Sequence, residues 1–112
     1  MSIYKREKLV EEIRRQAGEF IAAEAARETL ITPTRVTLSP DMKKATVFVS
    51  VYPETGEDSA FHFLRRKRTD FKHYVMKHTR IGRVPQFDFA IDIGEKNRLV
   101  IEDLSKKLDD KK

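Results

Sequence analysis

Between Arg65 and Arg83 the chain carries eight cationic side chains, Arg65, Arg66, Lys67, Arg68, Lys72, Lys77, Arg80 and Arg83, and one acid, Asp70. That window holds a net +7, while the remaining 15 basic and 17 acidic residues give the rest of the chain −2. The excess positive charge is therefore a patch. A solvated helix face normally interleaves both signs, because like charges one turn apart destabilise a helix by a few tenths of a kcal/mol each. Arg65, Arg68 and Lys72 stand at i, i+3 and i+7, so the repulsion between them is of the kind a polyanion relieves. Arginine outnumbers lysine five to three in the window, which suits forked contacts to phosphate oxygens more than simple point charge. Phe61, Phe71 and Tyr74 fall at buried helical phases, so the expected readout is of nucleic-acid backbone and shape, not base sequence.

Other chemistries have less support. His62, His73 and His78 lie in the same region, but His73 and His78 would point roughly 140° apart on a helix, too far round to share a metal ion. Asp88 and Asp92 would share one face of a strand with α-carbons roughly 13 Å apart, beyond the reach of a cooperating carboxylate pair, and are expected at a solvent-facing strand edge. No GxSxG, Walker or GxGxxG pattern occurs. Ser39, Ser50, Ser59 and Ser105 have no flanking signature of a nucleophile. Neither catalysis nor a cofactor is expected.

The elements that must position the patch follow from periodicity. Leu9, Ile13, Ala17, Phe20 and Ile21 fall on one face at 3.6-residue spacing, predicting an amphipathic helix from Tyr4 to Thr29. "RVTLSPDMKKATVFVSVY" predicts two strands, with Ala45, Val47, Val49 and Val51 alternating with polar or aromatic neighbours and Ser39-Pro40-Asp41 as the hairpin turn. "PETGED" is a turn, after which Asp58 or Ser59 could cap a helix turning Ala60, Phe61 and Leu64 inward. A second helix starts near Thr69 or Asp70, buries Phe71, Tyr74 and Val75, and ends at Gly82 as a left-handed cap. Phe87, Phe89, Ile91 and Ile93 then alternate as a third strand that Gly94 stops.

At 112 residues and 39% hydrophobic composition the chain fits one α+β domain over residues 1–104, with Leu99, Ile101 and Leu104 as its last apolar anchors and a charged, solvated tail over 105–112. The absence of cysteine fits a reducing compartment, and no apolar run approaches a membrane span or signal peptide. A soluble, monomeric, cytoplasmic protein is expected. The order α-β-β-α-α-β matches the type II KH arrangement, a three-stranded sheet packed against helices that binds RNA. It differs from a winged helix-turn-helix, whose helices precede the strand pair.

The residues also resemble a family. "TRVTLSPDMKKATVFVSV" (Thr34 to Val51) and "FLRRKRTDFKHYVMKHTRIGRVPQFDFAID" (Phe63 to Asp92) look like the strand, SPD-turn and basic helix-pair segments of ribosome-binding factor A. "LVEEIRR" and "NRLVIEDL" agree in position and character. The resemblance implies a KH-like fold that binds the small (30S) ribosomal subunit and its 16S rRNA during late maturation and 5′-end processing, without enzymatic activity. By position it makes Arg65, Arg66, Arg68, Lys72, Lys77, Arg80 and Arg83 the RNA-facing residues. Where the family has an Ala-x-Gly kink between the two helices, this chain has "KRTDF", in which Thr69 or Asp70 could recap the helix. Three alternatives stand beside this one: a general KH-type RNA-binding module not tied to ribosome assembly, a protein-interaction module whose basic face meets acidic protein surfaces, and an RNA-modifying enzyme.

Overall fold

The computed structural model describes residues 5–25 and 29–94. The expected tail over 105–112 and the anchors Leu99, Ile101 and Leu104 lie outside them, as does Tyr4. The first helix, α1, spans Arg6–Glu24 and buries Leu9, Ile13, Gln16, Ala17, Phe20 and Ile21. Its outer face is laced by pairs one turn apart, Arg14 with Glu11 and Arg15 with Glu12 and Glu19. The helix stops short of Thr29 because Ile21 is its last buried side chain and Ala25 is already extended, with ψ 152°.

Strand β1 (Leu30–Leu38) pairs antiparallel with β2 (Lys44–Tyr52). β1 begins five residues earlier than the alternation at Arg35 indicates. Pro33 is tolerated because β1 is an edge strand and its register shifts between Pro33 and Arg35. The hairpin turn is the expected one: the Met42 N–H donates to the Ser39 carbonyl at 2.9 Å, with Pro40 at the second turn position. Ser39 Oγ and the Lys43 N–H both donate to Asp41 Oδ1, at 2.7 and 3.0 Å, and these bonds hold the Asp41 carboxyl below its usual value, the Ser39 hydroxyl contributing most. α1 is tied to this end of the sheet by Arg6, whose guanidinium donates to the Leu38 and Ser39 carbonyls.

After a 3-10 turn at Glu54–Gly56 come α2 (Glu57–Arg66), α3 (Arg68–His78) and β3 (Gln86–Ile91). β3 lies beside β2 and parallel to it, so the sheet order is β1-β2-β3. A parallel neighbour demands a crossover, and the helix pair supplies it. The element order is the expected α-β-β-α-α-β, mixed α+β with a KH-like arrangement.

All three helices pack on one face of the sheet. The core joins the inward faces of β1, β2 and β3 to Leu64 on α2, Phe71 and Val75 on α3, and Ile13 and Phe20 on α1. Phe71 is fully buried at its centre, with ring centroids 4.6 Å from Phe87, 5.2 Å from Phe20 and 5.6 Å from Phe89. Burying such a side chain contributes about 2–3 kcal/mol. No helix among the described residues is long and apolar enough to cross a membrane.

Several local expectations are corrected. α2 starts at Glu57 after Gly56, so neither Asp58 nor Ser59 caps it, and Phe61 is only half-buried. Tyr74 is likewise half-buried, packed against the core rim. α3 ends at His78, not Gly82: the Thr79 N–H and hydroxyl both donate to the Val75 carbonyl, at 3.0 and 2.7 Å. The hydroxyl also accepts from the Ile81 N–H, so the end is closed without a left-handed glycine, and no described glycine has positive φ. β3 stops at Ile91, and Ile93 lies beyond the strand, 65% exposed.

Candidate nucleic-acid interface

The break between α2 and α3 falls on one residue. Lys67 sits at φ −95°, ψ 7°, in the bridge region between helical and extended backbone. Its N–H is shared between the Phe63 and Leu64 carbonyls, at 3.2 and 3.0 Å. The Arg65 carbonyl, freed by the break, accepts from Arg68 Nε at 3.0 Å. Neither Thr69 nor Asp70 caps α3, whose N-cap makes no side-chain hydrogen bond.

Turning the chain here aims one flank of α3 at the amino-terminal ends of β2 and β3. Between them lies a groove of about 800 Å³. From α3 it is lined by Arg68, Thr69, Lys72, His73 and Met76, and from the strands by Lys44, Thr46, Gln86 and Asp88, with the buried Ala45 and Phe87 beneath. Lys44 and Gln86 are register partners in the parallel ladder, and both enter the lining at the strand ends. β3 is an edge strand, so its outer backbone groups are not used by the sheet. Arg68 Nη1 lies 3.5 Å from Asp88 Oδ1, with both side chains about half exposed, and an ion pair in that setting contributes about 0–1 kcal/mol.

The opposite flank of α3 faces α1. Lys67 Nζ lies 3.7 Å from Glu24 and 3.6 Å from Asp70, and the Tyr74 hydroxyl lies 3.5 Å from Glu19. The Tyr74 phenol is pushed up, by desolvation first and then by the Glu19 charge. His78 stacks on the Tyr74 ring at 4.0 Å.

The eight cations singled out by sequence thus divide. Arg68 and Lys72 line the groove. Lys67 is turned to α1 and ion-paired there. Lys77 is exposed roughly 140° round α3 from Lys72. Arg65 lies over the Phe61 ring at 5.6 Å, on the exposed side of α2 with Arg66, and Arg80 and Arg83 are exposed on the connection to β3. Sequence reasoning missed Lys44 and His73 as groove residues. The available signal for Lys44 was its place directly after the hairpin turn, at the end of a strand.

Of the two aspartates expected at a solvent-facing strand edge, only Asp88 is exposed. Asp92 is buried, 5% exposed. It accepts a hydrogen bond from Thr34 Oγ1 and lies 3.5 Å from Arg35 Nε, while the Arg35 guanidinium covers the Phe48 ring at 3.9 Å on the outer sheet face. Asp92 therefore closes the register shift in β1. No group of three or more metal-ligating side chains is assembled among the described residues.

Known proteins share this architecture. The crystal structure of ribosome-binding factor A from Thermus thermophilus superposes with a TM-score of 0.69 at 26% identity, covering 79% of this chain and 97% of that one. A Thermus thermophilus ribosome-binding factor A homology model, fitted into a cryo-EM map of a 30S complex, superposes at 0.64 with 26% identity, covering 72% of this chain and 88% of that one. In sequence, ribosome-binding factor A of Thermomicrobium roseum is 28% identical over 95 residues, spanning 82% of this chain and 74% of the relative. That of Prochlorococcus marinus is 27% identical over 108 residues, spanning 92% and 83%. The family model for ribosome-binding factor A matches residues 5–105. With the sequence match running through every described element and the fold matched by solved relatives, the chain belongs to the ribosome-binding factor A family.

Proposed function

We propose that this protein is a ribosome-biogenesis factor that binds the small ribosomal subunit through its 16S rRNA, assists late maturation of the subunit and favours 5′-end processing of the rRNA. It acts by binding, with no catalytic step of its own. The observation that carries this reading is the convergence of Lys44, Arg68 and Lys72, from β2 and α3, on one open groove. A Thermus thermophilus relative placed in a 30S complex supports the choice of partner. The groove seats the ribose-phosphate of a single strand, with the arginine fork and lysine ammonium groups neutralising phosphates. Arg65, Arg66, Lys77, Arg80 and Arg83 lie outside it and meet neighbouring rRNA backbone in the particle. Lys67 orients α3 against α1.

Cosedimentation with purified small subunits tests this. Lys44→Glu with Lys72→Glu is expected to abolish cosedimentation at moderate salt, with the thermal transition moving little because neither side chain belongs to the core. Full retention of cosedimentation by the double variant would overturn the groove as the contact surface. An acidic protein partner would instead survive digestion of the RNA.

A further inference from the structure

Among the described residues the groove contains one carboxylate, and phosphate binding gives it no purpose. Asp88 is 55% exposed, and its pairing with Arg68 at 3.5 Å is long. Oδ1 also accepts the Phe89 N–H at 2.9 Å, while no hydrogen bond reaches Oδ2 among the described residues. A groove that took only backbone would bind a polyanion better with a neutral side chain there. A carboxylate, however, is an acceptor with about four lone-pair sites. It shares the groove lining with Met76, which is 55% exposed and offers apolar surface against which a flat base can lie.

We propose that Asp88 makes the groove selective for guanine, its carboxylate accepting the base's N1–H and N2–H together. The inference rests on the groove being the RNA site. Guanine is the one standard base whose Watson–Crick edge offers two adjacent donors. Adenine and cytosine each offer an amino group beside a ring acceptor, and uracil offers one N–H between two carbonyls, which a carboxylate repels. That edge is free only in unpaired RNA, so the substrate is a single-stranded segment. On binding, Arg68 leaves Asp88 for the phosphate, and Oδ1, still accepting the Phe89 N–H through one lone pair, offers its other beside Oδ2. Readout then includes one base, where sequence composition alone points to backbone and shape.

Fluorescence anisotropy with three uridine heptamers tests this, one unmodified, one with a central guanosine and one with a central inosine, which lacks the N2 amino group. The wild-type protein is expected to bind the guanosine probe roughly tenfold tighter than the all-uridine probe, with inosine between them. Asp88→Asn and Asp88→Ala are each expected to bind the all-uridine probe at least as well as wild type and to lose most of the guanosine preference. Equal wild-type binding of the guanosine and inosine probes overturns the proposal, as does an unchanged preference in both variants. Lys44→Glu with Lys72→Glu separates the two levels. If it leaves all three affinities intact, the groove is not the RNA site and both readings fall; if it weakens all three while wild type shows no base preference, only the guanine inference falls.

Discussion

Replacing Lys44 and Lys72 by alanine, singly and together, should change how RNA affinity responds to salt by an amount the groove geometry sets. Lys44, Arg68 and Lys72 are the groove's full cations, and each phosphate neutralised on a single strand contributes about 0.7 to the slope of log affinity against log salt. A probe short enough to occupy the groove alone should give wild type a slope near about −2, each single variant about −1.4 and the double variant about −0.7. Between 50 and 200 mM salt that is a loss of roughly twentyfold for wild type and roughly threefold for the double variant. Anisotropy titrations of a labelled uridine heptamer at four salt concentrations measure it. Lys77→Ala, on the far side of α3, should leave the slope unchanged. The reasoning fails if the double variant keeps the wild-type slope, or if Lys77→Ala lowers it more than Lys72→Ala does, because the phosphates would then lie outside the groove.

Phe71→Ala removes the ring on which Phe20, Phe87 and Phe89 converge. It should cost about 3–5 kcal/mol, a large share of a small domain's stability, visible as a thermal midpoint lowered by at least about 10 °C. Gly18 lies inside α1 with nothing within 4 Å of an added Cβ, so Gly18→Ala should raise stability by about 0.5–1 kcal/mol in urea titration. Asp41 has a depressed carboxyl in the folded hairpin, through the Ser39 hydroxyl and the Lys43 amide. Its contribution is therefore present above the unfolded carboxyl value and lost as pH falls through the lower, folded one. Asp41→Ala should melt below wild type at pH 7, and the two melting curves should converge in acid, below about pH 4.

Elements whose signal is local were legible in the sequence. The stripe from Leu9 to Ile21 makes α1 from its own spacing, and Ser39-Pro40-Asp41 makes its turn from its own side chains, with the Asp41 hydrogen bonds adding to what proline supplies. The α-β-β-α-α-β order needed only such local periods. What escaped depends on pairings distant in sequence. β1 extends back through Pro33 because Asp92, 58 residues on from Thr34, accepts its hydroxyl and closes the register shift. In sequence Asp92 reads as one of an alternating exposed pair, and only the sheet shows that it is buried. Lys44 became a groove residue because β3 lies parallel to β2 and brings Gln86 opposite it, a pairing that strand alternation does not specify.

The same distinction applies to the charge run. By linear count Asp70 is the acid that opposes eight cations, but among the described residues its ion pair is with Lys67, at 3.6 Å, on the α1 side of α3. The acid that opposes the groove cations is Asp88, from a strand twenty residues after Arg68. The groove therefore carries three cations against one carboxylate, a smaller positive excess than the window itself. What keeps those cations together is the turn at Lys67, whose negative φ does not call for glycine. The kink needs no glycine because Leu64 before it and Phe71 after it are both fully buried in the same core, and that shared burial fixes the angle between the two helices. Orientation of Arg68 and Lys72 is thus a property of the hydrophobic core beneath them. Damage to that core at Leu64 should weaken RNA binding even in a variant that still folds.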